Sequence, residues 1–194
     1  MNSTNQQKYA SANPLRKMFL GPFQQRFLQT LKDQLPADIL EVGAGEGYLL
    51  AKIDQALPAV RKVGLDLSPE SVAEGRRLFP QLDLRTGDIY HINEPDHAWD
   101  TVIASEVLEH LDRPDDALAE LKRVAKRQVI LSVPWEPWFR LLNLARGKHL
   151  RRLGNHPEHI QNWTKAGFTK FVKNQLEVER VIGAFPWTII VAKP

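Results

Sequence analysis

Three acidic residues stand where apolar runs break off. Glu41 interrupts the run Ile39, Leu40, Val42, Asp66 closes Val63, Gly64, Leu65, and Asp88 follows the short run that ends at Thr86. A carboxylate at the end of a buried strand can accept two hydroxyls at once or attract an ammonium group. After Glu41 and Val42 come Gly43, Ala44, Gly45, Glu46 and Gly47. Glycines at this density let the backbone turn sharply and pass close to a ligand. The apolar run Tyr48, Leu49, Leu50, Ala51, Ile53 then starts a helix whose first N–H groups are unpaired and carry partial positive charge. The spacing is G-x-G-x-G, not the G-x-G-x-x-G of dinucleotide sites. Further on, Ser105 and Glu106 end a fourth apolar run, and Glu109 and His110 follow three and four residues after Glu106, on one face if that segment is helical. Together with His156 and His159 downstream, such carboxylates and imidazoles suit a divalent ion. By itself, His110 suits a base or hydrogen-bonding group facing a substrate. His156 and His159 lie either side of Pro157 in a turn, which favours surface or capping roles for both.

The elements that position these residues alternate. Asn13-Pro14 opens a helix that carries Leu15, Met18, Phe19, Phe23, Phe27, Leu28, Leu31 and Leu35 at helical spacing, with a break at Gly21-Pro22. It serves as a packing helix, a lid, or both. Strands are expected at 39–42, 62–66, 82–86, 99–105 and 128–133. Helices follow the glycine turn as far as Leu57, start at the Ser68-Pro69-Glu70 cap, and open at Asp112-Arg113-Pro114. A helix over 160–166 stopped by Gly167, then strands over 168–172 and 187–192, would complete the chain. This alternation calls for a parallel sheet with helices on both faces. Ligands bind such sheets at the carboxyl ends of the strands, where the strand order switches. Topology alone therefore puts Glu41, Asp66, Asp88 and Ser105 on one edge.

The glycine turn behind Glu41, Asp66 about 20 residues on, Gly87-Asp88-Ile89 and the strand ending at Ser105 together resemble the class I S-adenosylmethionine (SAM)-dependent methyltransferases. The resemblance covers residues 38–134 well and the remainder loosely. It implies one α/β domain over 1–194, with a Rossmann-like seven-stranded sheet, mostly parallel, whose last strand is antiparallel. It also implies an N-terminal helical cap over 1–36 and a substrate-side insert and helix over 135–166. By resemblance, Gly43, Ala44, Gly45 and Gly47 lie against the methionine part of SAM, and Glu41 orients that loop and attracts the ammonium. Asp66 takes the ribose hydroxyls, Leu67 the adenine face and Asp88 the adenine amino group, with Ile89 packed beside it. Ser105 and Glu106 lie near the sulfonium. Glu106, Glu109, His110 and a later histidine also resemble the metal-holding pattern of small-RNA 3′-terminal 2′-O-methyltransferases, and some quinone-biosynthesis O-methyltransferases carry a similar run. The run occurs in members with no known metal as well, so no metal is assigned and His110 is taken as the catalytic residue. The expected reaction is methyl transfer to a small-molecule acceptor, at oxygen, by in-line displacement. The alternatives are a metal-assisted RNA 2′-O-methyltransferase and a SAM-binding regulator without turnover.

Composition sets the outer bounds. The 194 residues are 43% apolar and 25% charged, enough for one ordinary domain. Without cysteine there is no disulfide, no thiolate metal site and no cysteine nucleophile, which excludes cytosine C5 methylation. The Asn/Asp-Pro-Pro-aromatic run usual in exocyclic-amine methylation of bases is replaced by Ser105, Glu106, Val107, Leu108. A net charge of +3 does not argue for nucleic acid. The polar first 13 residues lack a signal-peptide core, and cytoplasm is the default compartment. Arg146, Lys148, Arg151 and Arg152, with no acid between Glu136 and Glu158, suit a phosphate, a carboxylate or a weak contact with an anionic surface. Trp135 and Trp138 suit stacking on a planar acceptor. Monomer and dimer are both open.

Overall fold

The computed structural model describes residues 14–145 and 159–194. The cap at Asn13, the polar residues before it, the basic residues Arg146, Lys148, Arg151 and Arg152, and His156 lie outside the described residues.

The elements run in order α1 (Pro14–Asp33), β1 (Asp38–Val42), α2 (Tyr48–Ala56), β2 (Arg61–Asp66), α3 (Pro69–Leu78), β3 (Asp83–Thr86), β4 (Trp99–Ser105), a 3-10 turn (Leu108–His110), α4 (Pro114–Val124), β5 (Ala125–Pro134), α5 (Trp138–Ala145), α6 (Lys165–Lys173), β6 (Glu177–Ala184) and β7 (Trp187–Lys193). The seven strands form one sheet in the order β3-β2-β1-β4-β5-β7-β6. β1 to β5 pair in parallel, while β7 lies antiparallel to both β5 and β6. The chain works outward from β1 to β3, then crosses to β4 on the other side of β1. That reversal opens a crevice between the carboxyl ends of β1 and β4.

Successive residues of the central strands feed opposite faces. Ile39, Ile103, Ile130, Ile189 and Val191 pack with Phe23, Phe27 and Leu31 of α1 and Leu49 and Ile53 of α2. Leu40, Val42, Val102, Ala104, Val129 and Leu131 pack with Leu118 and Leu121 of α4 and Phe168 and Val172 of α6. At the amino edge of the sheet the charges satisfy one another: Asp100 accepts from Arg127 and from the Ala37 N–H, and Asp38 accepts from the Asp100 N–H. That edge is structural.

Two expectations are corrected. The helix α1 does not break at Gly21-Pro22 but runs through Pro22. Pro22 cannot donate to the carbonyl one turn back, yet the burial of Phe23, Phe27 and Leu31 on the sheet holds the helix together. Residues 168–172 are not a strand, and the helix is not at 160–166. Thr164 caps α6 by accepting from the Gly167 N–H at 3.0 Å, so Gly167 sits in the first turn and stops nothing. Phe168, Phe171 and Val172 then fall at helical spacing against the core. The sixth strand is Glu177–Ala184, an edge strand with a register shift between Val178 and Arg180.

Candidate functional site

The carboxyl edge of the sheet holds two groups of side chains. The first surrounds the glycine loop. Gly43, Gly45 and Gly47 all have positive φ, at 78°, 56° and 78°. At Gly43 a side chain would meet a second obstacle, because its Cβ would fall inside Val107. The loop is bolted to β2 by the Gly43 and Ala44 N–H groups, which both donate to the Leu65 carbonyl at 2.7 and 2.9 Å. Asp66 completes the attachment: one carboxylate oxygen accepts from the Gly45 N–H at 2.6 Å and the other from the Ser68 N–H at 2.9 Å. Ser68 itself caps α3, so Asp66 is not needed there. Each oxygen of Asp66 keeps a further lone pair for a hydroxyl. The Gly87 N–H donates to the Asp66 carbonyl at 2.9 Å, which places Asp88 next in line along the edge. One oxygen of Asp88 accepts from the Tyr90 N–H. Leu67 is 70% exposed beside Asp66, an apolar side chain with no cover of its own. Ile89, by contrast, is buried in the core with Leu65 and Val63, leaving little of it to face a ligand.

Glu41 is buried on β1, opposite Ile103 of β4, directly below this loop. Among the described residues its Oε2 has no hydrogen-bond partner. Burial, and secondarily the negative charge of Asp66, push the Glu41 carboxyl up to about 8. A carboxylate kept from ionising by its surroundings, with an orphaned oxygen, is poised for a cation.

The second group follows β4. The Ser105 hydroxyl shares a hydrogen bond with the Ser132 hydroxyl of β5 at 2.8 Å, and the Glu106 N–H donates to the Ser132 carbonyl at 2.9 Å. Glu106 has φ 62° and does not extend the 3-10 turn. The helical face expected for Glu106, Glu109 and His110 therefore does not form. Instead Glu109, His110 and His159 come together, each offering one ligand atom, all within 4.8 Å of one another. The turn at Pro157 suggests a surface or capping role for His159. Here the Ile160 and Gln161 N–H groups both donate to the Glu109 carbonyl at 2.9 Å, and the Gln161 amide donates to the Leu111 carbonyl at 3.2 Å. These bonds swing His159 against His110, with ring centroids 5.0 Å apart, and Phe139 stacks on its other side at 5.4 Å. Glu109 is 1% exposed. The contact between Gly43 and Val107 joins the two groups across the crevice.

The profile of the methyltransferase-domain family matches residues 40–133, the segment that carries both groups. Over those residues the chain carries a methyltransferase domain of the class I SAM-dependent kind. A SAM-dependent methyltransferase from Mycolicibacterium smegmatis, so named with the qualifier probable, is 30% identical over 152 residues, covering 76% of this chain and 55% of that protein. The chain spans 55%, 26% and 36% of the length of three curated relatives it matches. In fold it is similar to magnesium protoporphyrin IX methyltransferase from Synechocystis PCC 6803, solved with SAH bound (TM-score 0.68, 20% identity, 98% of this chain and 94% of that one). It is also similar to the methyltransferase domain of bacterial CtHen1-CN (TM-score 0.70, 20% identity, 91% and 100%). The cofactor of this family is SAM, and the residues present fit it: a loop of positive-φ glycines, an acid at the end of β2 with free lone pairs, an exposed leucine beside it, and a buried carboxyl with one oxygen unbonded among the described residues. Among the described residues no helix is long and apolar enough to cross a membrane.

Proposed function

We propose that this chain methylates an oxygen of a small-molecule acceptor, with His110 as the group that receives the acceptor's proton. The observation behind this reading is His110 in the 3-10 turn that follows β4, with the His159 ring centroid 5.0 Å away. The cofactor would supply a methyl carbon on a sulfonium, whose departure as a neutral thioether needs no protonation. Glu41 would hold the ammonium, Asp66 the ribose hydroxyls, Leu67 the adenine face and Asp88 its amino group, while Ser105 and Glu106 line the sulfonium side. What remains for the protein is to hold the acceptor oxygen in line, exclude water and take one proton. The phenyl ring of Phe139 stacked on His159 and the loop bolted to Glu109 hold this base in place. On this reading the one domain is divided in labour, α1 capping the sheet and the described parts of the insert, 135–145 and 159–166, walling the acceptor side. The named acceptor of the magnesium protoporphyrin methyltransferase supports the small-molecule class.

The test is transfer of radiolabelled methyl from SAM to panels of phenols, catechols and carboxylic acids, each with and without divalent metal. His110→Asn should lower kcat about a hundredfold or more while binding of S-adenosylhomocysteine stays near wild type. Equal loss of product binding would remove His110 from the acceptor side.

A second reading has its own observation. The convergence of Glu109, His110 and His159 suits a divalent ion, which favours metal-assisted methylation of a ribose 2′-hydroxyl at an RNA end. Glu106 stands outside that cluster. Transfer to an RNA oligonucleotide that collapses with chelator would select this reading over the first.

A further inference from the structure

At the outer flank of the sheet a free strand edge lies beside a basic groove. The order β5-β7-β6 leaves β6 paired on one side alone, to β7. Among the described residues, no backbone group outside that pairing bonds to the main chain of Glu177–Ala184. Such an edge offers its outward N–H and C=O groups to another extended chain. The register shift between Val178 and Arg180 interrupts the edge near its start, so the regular stretch runs over Arg180–Ala184. Beside it, Lys165, Ala166, Thr169, Lys170 and Lys173 of α6 and Val181 of β6 line an open groove of about 650 Å³. Positions 165, 169 and 173 are one turn apart and share a face, while Phe168 and Val172 turn into the core. The helix holds three lysines and no acid, and Lys165 stands in its first turn, where the dipole favours the opposite charge. Among the described residues, Lys165, Lys170 and Lys173 form no ion pair. The two glutamates of β6 are engaged elsewhere: Lys193 bonds Glu179 at 2.5 Å and feels the charge of Glu177.

Charge and hydrogen bonding together select the occupant. Three uncompensated ammonium groups over a floor of Ala166 and Val181 call for carboxylates set between apolar side chains. The free edge calls for a main chain with its own N–H and C=O groups. A free anion would meet the lysines and leave the edge unpaired, and a nucleic acid backbone has no such ladder to offer. A second copy pairing β6 antiparallel to β6 would bring the two lysine rows of α6 side by side, like charge against like. We propose that an extended acidic segment of a partner protein adds as a further strand on Arg180–Ala184, with the side chains of one face meeting the α6 lysines. Main-chain bonds to β6 supply the affinity, and the lysines select acidic sequences over neutral or basic ones. The docking depends on neither the cofactor nor the acceptor assignment.

The experiment is fluorescence anisotropy of the full chain with an acetylated, labelled peptide that alternates glutamate with valine. The peptide should bind, more weakly as salt rises, and should slow amide hydrogen exchange over 177–184. The same sequence with every backbone nitrogen methylated keeps its charge and loses its donors, and should bind about tenfold more weakly or worse. A peptide alternating lysine with valine should not bind. Lys170→Glu with Lys173→Glu, both at exposed positions, should also weaken the glutamate peptide about tenfold or more, with S-adenosylhomocysteine binding unchanged. Lys170→Gln with Lys173→Gln serves if the charge-reversed variant fails to melt cooperatively. Lys126→Glu, exposed at the start of β5, is the control for generic basicity and should leave peptide binding unchanged. No peptide binding, equal binding of the methylated peptide, no added protection over 177–184, or an equal loss with Lys126→Glu would overturn the proposal. So would single-stranded RNA that binds more tightly than the peptide and is lost with the lysine variants, which would assign the groove to nucleic acid. A wild-type dimer in sedimentation that already protects 177–184 without peptide would assign the edge to a second copy. None of these readouts needs methyl transfer, so the two proposals can fail separately.

Discussion

Glu41→Gln isolates the most unusual electrostatic feature of the site. The Glu41 carboxyl ionises near 4.5 in an unstructured chain and is pushed up to about 8 here by burial and by Asp66. Between those two values the unfolded chain has released a proton that the folded chain retains. Stability therefore falls as pH rises through that window and levels off above pH 8. A carboxyl shifted from 4.5 to about 8 corresponds to roughly 5 kcal/mol when fully expressed. Glutamine has the same shape and no proton to lose. The stability difference, variant minus wild type, should therefore grow with pH in the variant's favour, by about 4 kcal/mol between pH 5 and pH 9, most of it below pH 8. Urea unfolding of both proteins across that range measures it, and taking the difference cancels every other titrating group. A difference that stays flat, or that favours wild type increasingly as pH rises, would refute the claim that Glu41 is held protonated in the free protein.

The same carboxyl should release close to one proton at pH 7 when a ligand ammonium settles on it. Calorimetric enthalpies for S-adenosylhomocysteine in two buffers of different ionisation enthalpy count that proton, and Glu41→Gln should abolish the buffer dependence. Asp66→Ala removes both a ribose acceptor and the tie to the Gly45 and Ser68 N–H groups, so S-adenosylhomocysteine affinity should fall at least about tenfold, or 1.4 kcal/mol, by titration. Gly43→Ala faces a φ of 78° and a collision with Val107. It should cost about 2 kcal/mol or more in urea unfolding, and Val107→Ala should recover only the steric part. Thr164→Ala removes the cap of α6 and should cost about 1 kcal/mol. No change there would return residues 164–168 to an uncapped segment.

How far the sequence could be read depends on the range of the forces involved. The ends of β1, β2 and β4 were legible because a strand buried on both faces must be apolar and must stop where a charge or a glycine cluster begins. Gly43, Gly45 and Gly47 announced positive φ by their density. Residues 160–184 misled because Phe168, Phe171 and Val172 are too short an apolar run to distinguish strand from helix, and the deciding contact is the Thr164 cap. The alternation of β6 is weak because it is an edge strand with only partial burial. Pro22 looked like a break because local rules do not know that Phe23, Phe27 and Leu31 have a sheet to lie on.

The sequence by itself determined the parallel α/β sheet, the edge on which Glu41, Asp66, Asp88 and Ser105 lie, and the absence of thiol chemistry. Each follows from a pattern repeated within a few residues or from composition. Only the tertiary structure decided that Glu41 is buried with one oxygen unbonded among the described residues, that His159 rather than Glu106 joins Glu109 and His110, and that β7 pairs with β5 and leaves β6 on the free edge beside the α6 lysines. Those depend on backbone hydrogen bonds and strand pairings between segments about 50 residues apart, from Glu109 to Ile160 and from Pro134 to Trp187. Contacts of that range leave no period in the chain; they exist only once the sheet has closed.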